Sequence, residues 1–90
     1  MIYQNTYSIG EVSEMAGISQ RQLRNWEGKY IPEPIRMNVG SRLFRRYTME
    51  DIRLLKKIKE NLENGFTLPA AAKNAAEFTD LTVPIAETTE

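Results

Sequence analysis

The 90-residue chain contains no cysteine and no histidine. Without cysteine there is no disulfide framework and no thiolate metal site, and the cytoplasm is the expected compartment. Without histidine the most common general base and metal ligand is missing too. No Gly-rich phosphate loop and no metal-ligand spacing occur, and the carboxylates fall at helix starts or on helix faces expected to be exposed. No acid–base pair stands out, so catalysis finds no support and an enzyme is not expected. No apolar run approaches the roughly 18 residues that span a bilayer, and no apolar signal segment follows Met1. Net charge is also nil, 12 Lys and Arg against 12 Asp and Glu. What remains is one small domain of ordinary globular composition, 41% hydrophobic and 27% charged, with a modest core.

The distribution of charge says more than its sum. From Ser19 to Tyr47 the cations Arg21, Arg24, Lys29, Arg36, Arg42, Arg45 and Arg46 face only two acids, Glu27 and Glu33, a net +5. From Thr48 to Glu90 five cations meet eight acids, a net −3. Screening over about 8–10 Å at physiological salt lets the middle block act locally.

Ser8 with Glu11 is a capping box that starts a helix carrying Ile9, Val12, Met15 and Ala16 as an apolar stripe. Gly17 is placed to end it in left-handed geometry. After Ile18, Ser19 caps a second helix from Arg21 to about Gly28, in which Leu23 and Trp26 share one face. Two short helices joined by a tight Gly-containing turn form the helix-turn-helix pattern. Ile31-Pro32-Glu33-Pro34 cannot continue a helix. Ile35–Met37 and Arg42–Tyr47 read as strands joined by the turn Asn38-Val39-Gly40-Ser41. Thr48 and Asp51 form another capping box, opening a helix with Ile52, Leu55, Ile58 and Leu62 on one side and stopped by Gly65. Thr67 caps a last, Ala-rich helix that runs to about Phe78 and tolerates Pro69 in its first turn. Residues 79–90 have Pro84 and no periodicity, and read as a flexible tail behind a domain over residues 1–78. The expected fold is mainly α with a small β-hairpin wing: a winged helix-turn-helix of about four helices.

Arg pairs bidentately with guanine, and Asn or Gln with adenine, so a helix carrying Gln20, Arg21, Gln22, Arg24 and Asn25 behind Ser19 suits a DNA major groove. A solvated amphipathic helix would show the same residues; the helix and turn before it favour DNA. Trp26 is read as core, not as a base-stacking residue. Arg42, Arg45 and Arg46 could protect an edge strand from aggregation. With Tyr47 beside them on a hairpin, phosphate and minor-groove contact is the favoured reading. Lys56-Lys57-Ile58-Lys59 reads as a solvated helix face.

At these residues the chain resembles the MerR family of bacterial transcriptional regulators, from Tyr7 to about Lys73. The motifs are Tyr7-Ser8-Ile9-Gly10-Glu11-Val12, Ala16-Gly17-Ile18-Ser19, Leu23-Arg24-Asn25-Trp26-Glu27, Arg45-Arg46-Tyr47 leading into Glu50-Asp51, and Asn64-Gly65-Phe66-Thr67-Leu68. The resemblance implies a four-helix winged domain on near-palindromic promoter DNA, which family members bend and untwist so that RNA polymerase can use it. Carried over by position, Ser19, Arg21, Arg24 and Asn25 face the major groove or its flanking phosphates, and Arg45, Arg46 and Tyr47 are wing contacts. Lys29-Tyr30-Ile31-Pro32-Glu33-Pro34 is similar to the branch whose regulators carry a cobalamin-binding light sensor; no cofactor is expected in the present chain. Asn25 stands where many members have an aromatic. The family dimerises through a long helix after the fourth, which residues 79–90 cannot supply. The chain is therefore expected to be either the DNA-binding part of a longer protein or a naturally short relative, and a homodimer only in the first case. Two other roles remain open: an excisionase-like architectural protein that bends DNA, and a winged helix used for protein–protein contact.

Overall fold

The same local exchange sets three of the helix starts. Ser8 Oγ accepts from the Glu11 N–H at 3.2 Å while Glu11 Oε1 accepts from the Ser8 N–H at 2.8 Å. Ser19 and Gln22 do likewise at 3.1 and 3.4 Å, and Thr48 and Asp51 at 3.2 and 2.9 Å. Each box satisfies two N–H groups that a helix terminus otherwise leaves unpaired. In the computed structural model, residues 6–79 are described. They form β1 (Tyr7–Ser8), α1 (Ile9–Ala16), α2 (Gln20–Trp26), β2 (Ile35–Val39), β3 (Arg42–Tyr47), α3 (Met49–Glu63) and α4 (Leu68–Thr79). The fold is mainly helical with a hairpin wing, as expected.

Gly17 closes α1 in the left-handed region, at φ 73°, with its N–H on the Ser13 carbonyl at 2.9 Å. The turn to α2 is correspondingly tight. One face of each helix packs inward: Val12 and Ala16 from α1, Leu23 and Trp26 from α2, and Ile18 between them. Met15 departs from the expected stripe and is 40% exposed, while Ile9 is only partly buried.

The sheet differs from expectation in two respects. It has three antiparallel strands in the order β1-β3-β2, because Tyr7 and Ser8 pair with Tyr47 and Arg46. A two-residue strand has no periodicity to betray it; only its partner defines it. The hairpin turn is also shorter than Asn38–Ser41. Asn38 and Val39 pair with Leu43 and Arg42, leaving Gly40 and Ser41 as the connection. Gly40 lies at φ 62°, the left-handed geometry that lets two residues reverse a chain.

The rest of the core lies on α3 and α4. Ile52, Leu54, Leu55 and Ile58 meet Ala71, Ala72, Ala75 and Ala76, whose small side chains let the two helices approach closely. Asn61 is buried among them and satisfied, its Nδ2 donating to the Ala71 carbonyl at 3.1 Å and to Asn74 Oδ1 at 3.0 Å. Thr67 Oγ1 accepts from the Ala70 N–H at 3.4 Å, as its capping role requires. The expected tail, apart from Thr79 at the end of α4, lies outside the described residues. Among the described residues, no helix is long and apolar enough to cross a membrane.

Burial pushes the Asp51 carboxyl above its ordinary value; the Thr48 N–H and hydroxyl pull it back and Glu50 adds to the rise. A carboxyl that binds its proton more tightly when folded adds stability as pH falls through its range, and that contribution is lost as pH rises. Thr48→Ala is expected to cost about 1 kcal/mol and to move Asp51 further up. Thermal melts and an NMR titration of the Asp51 carboxyl carbon measure both.

Candidate nucleic-acid interface

An α2 of seven residues is too short to persist unaided, so its placement comes from both ends and one face. The Ser19–Gln22 box fixes the start. Burial of Leu23 and Trp26 fixes the rotation about the axis. At the far end the Trp26 carbonyl accepts from the Lys29, Tyr30 and Ile31 N–H groups at 3.0, 2.9 and 3.2 Å. Gln20, Arg21, Gln22, Arg24 and Asn25 consequently all face outward and are exposed, with Ser19 beside them. Arg24 Nη2 donates to Gln20 Oε1 at 3.3 Å across one helical turn. Arg21 and Asn25 make no side-chain hydrogen bond among the described residues.

The wing arginines separate by strand alternation, since antiparallel partners share a face. Arg42, Phe44 and Arg46 lie with Ile35, Met37 and Val39 on one face; Leu43, Arg45 and Tyr47 lie with Arg36 and Asn38 on the other. Arg42 is exposed beside the turn, its guanidinium 5.3 Å from the Phe44 ring centroid. Arg46 is half-buried, donating from Nε to Thr6 Oγ1 at 3.1 Å and from Nη2 to the Thr6 carbonyl at 2.9 Å.

On the opposite face a single carboxylate gathers the cations. Glu27, directly after Trp26, accepts from Arg36 Nη2 at 3.0 Å, from Arg45 Nε, and from the Tyr47 hydroxyl at 3.4 Å. Its side chain is 8% exposed. The wing is thereby tied to the C-terminal end of α2. Burial and then the Glu27 carboxylate drive the Tyr47 phenol well above its ordinary range, opposed by Arg45.

The expected residues therefore fall into three groups. Ser19, Gln20, Arg21, Gln22, Arg24 and Asn25 share the outer surface of α2. Arg42 and Arg46 share one wing face, and Arg45 sits on the other with Glu27. Tyr47 corrects the sequence reading: expected to offer its hydroxyl to phosphate, it is fully buried, pairing with Tyr7 and turned toward Glu27. Alternation over Arg42–Tyr47 gives no sign of which face a third strand would cover. In the sequence Arg36 enters only as a charge of the basic block, and Glu27 only as a charge and as the last residue of the motif Leu23–Glu27. Their meeting is non-local, and the one local signal is that Glu27 follows directly on the buried Trp26.

A tight helix-turn-helix, a polar outer face on its second helix and a basic hairpin in this order coincide with a known family. Over residues 7–77 the chain matches the MerR HTH family regulatory proteins. It belongs to the MerR family. Over 71 residues it is 34% identical to the HTH-type transcriptional repressor CarH of Myxococcus xanthus, covering 78% of this chain and 23% of CarH. Over 58 residues it is 38% identical to the HTH-type transcriptional regulator TnrA of Bacillus subtilis (strain 168), covering 64% of this chain and 50% of TnrA. The matched region thus spans half or less of each relative. Family and relatives make this a DNA-binding domain of transcription regulation.

In this MerR-family domain, Tyr47→Phe is expected to lower stability by about 1 kcal/mol and to leave the salt dependence of duplex binding unchanged. Fluorescence-anisotropy titrations over a salt series, paired with thermal melts, check this. A slope smaller by about 0.9 would return the hydroxyl to a phosphate.

Proposed function

We propose that α2 lies in the major groove of promoter DNA and the wing rests on the flanking backbone or minor groove. The observation that carries this reading is the division of α2. Leu23 and Trp26 hold the helix down, and every residue able to bond a base edge faces out. In this reading Arg21, Arg24 and Asn25 read bases or clamp adjacent phosphates, with Gln20 and Gln22 beside them. The Ser19 hydroxyl caps the helix at the groove edge. Arg42 and Arg46 meet the backbone, Arg46 with the guanidinium N–H groups that Thr6 leaves over. The family assignment supports the DNA partner. In a longer protein, a following helix would join two such heads over a two-fold-related operator, and the bent promoter would present its elements to RNA polymerase.

A single head of this size is expected to bind duplex DNA in the range of about 10⁻⁴ to 10⁻⁶ M with a steep salt dependence. Anisotropy titrations with short duplexes at low and moderate salt measure it; no binding and no slope would remove DNA from the reading. Arg24→Ala is expected to cost about 1–3 kcal/mol and to relax preference at one base position. A uniform loss across a panel of single-base variants would make Arg24 a phosphate clamp.

A further inference from the structure

Glu27 stands where the two DNA-facing elements meet, and the proposed contacts leave it no role. It is the residue at the end of α2, and the backbone around it is held tightly. The Gly28 N–H donates to the Ile31 carbonyl at 2.9 Å, while three successive N–H groups converge on the Trp26 carbonyl. The carboxylate thus belongs to the rigid end of α2, whereas its partners Arg36 and Arg45 belong to the wing. Those two arginines are directly opposed across the β2–β3 ladder. Like charges in that arrangement repel, and a nearly buried carboxylate between them supplies the counter-charge.

We infer that Glu27 is a positioning residue for DNA recognition: it fixes the wing relative to α2 and keeps the guanidiniums of Arg36 and Arg45 off phosphate. The inference rests on α2 and the wing forming the DNA surface. Its consequence is electrostatic. A phosphate contact adds affinity for every sequence alike, whereas register between groove and backbone helps only where both elements fit at once. A carboxylate that neutralises two wing arginines lowers the first and protects the second.

The test is Glu27→Gln, which keeps the shape of the side chain and removes its charge. The probes are a duplex selected from a random library by the wild-type chain and a scrambled duplex of the same composition. Released arginines steepen the plot of log affinity against log salt by about 0.9 for each new phosphate contact. The variant is expected to gain one or two such contacts on both duplexes, to bind the scrambled duplex more tightly, and to discriminate less between the two. Glu27→Asp, which retains the charge, is expected to return the slope toward wild type. A purely structural role predicts lower stability with an unchanged slope and an unchanged ratio of the two affinities, and that result would overturn the inference.

Should Glu27→Gln fail to fold, Arg36→Gln decides. An arginine kept from phosphate leaves the wild-type slope intact when removed, and a slope shallower by about 0.9 refutes the withholding. The two levels fail differently. If the DNA surface itself is wrong, the wild-type chain shows no salt-dependent binding to either duplex. If only the role of Glu27 is wrong, wild type binds and discriminates, and its variants keep its slope.

Discussion

The carboxylate of Glu27 is the constraint through which α2 and the wing, the two halves of the proposed DNA surface, depend on each other. A helix end and a hairpin have no intrinsic reason to keep a fixed angle. Here the hairpin's own register sets two arginines opposite one another, an arrangement that like-charge repulsion disfavours and a negative group between them relieves. Glu27 fills that place, and its position is fixed by the burial of Trp26 one residue earlier. Tyr47 completes the joint: buried by its pairing with β1, it turns its hydroxyl to the same carboxylate. Core, α2 and wing therefore share one polar junction.

This junction also changes the meaning of the charge pattern. Between Ser19 and Tyr47 the chain carries a net +5, yet Arg36 and Arg45 are ion-paired to one of only two acids in the block. The field left to attract a polyanion comes mainly from Arg21 and Arg24 on α2, from Lys29, and from Arg42 and Arg46 on the other wing face. A chain of zero net charge can still present a cationic surface this way, because attraction at a groove is set by charges within a screening length.

What was legible in the sequence was what is local. Ser8 with Glu11 and Thr48 with Asp51 each act across three residues, and the spacing alone gives the helix starts. Leu23 and Trp26 on one side of α2, Gly17 at the end of α1 and the apolar positions of α3 follow from periodicity in the same way. The errors arose where a distant partner decides. Two strand residues at Tyr7 and Ser8 exist only because β3 passes beside them, and their presence turns Tyr47 from a surface hydroxyl into core. Met15 has the right spacing for the α1 stripe but lies at its margin, where it is only partly covered. The loop expected at Asn38–Ser41 contracted because ladder pairing extends as far as the left-handed Gly40 permits. For the candidate site, residue types on α2 could be named from the sequence, whereas the pairing of Glu27 with two wing arginines could not.

A division of labour follows from these placements. The fold-holding duties of α2 fall to Leu23, Trp26, the Ser19–Gln22 cap and the backbone around Gly28, while Arg21 and Asn25 make no side-chain hydrogen bond among the described residues and Arg24 makes only the exposed one to Gln20. Such positions can change identity without unfolding the domain, so a scaffold that reads bases with them, as proposed, can acquire new base preferences with its stability intact. The wing is the opposite case: Arg45 and Tyr47 are committed to the junction, so changes there alter geometry before they alter contact. If α2 and the wing form the DNA surface as proposed, specificity depends as much on the cations such a head restrains as on those it presents, since an unrestrained arginine strengthens binding to all sequences equally.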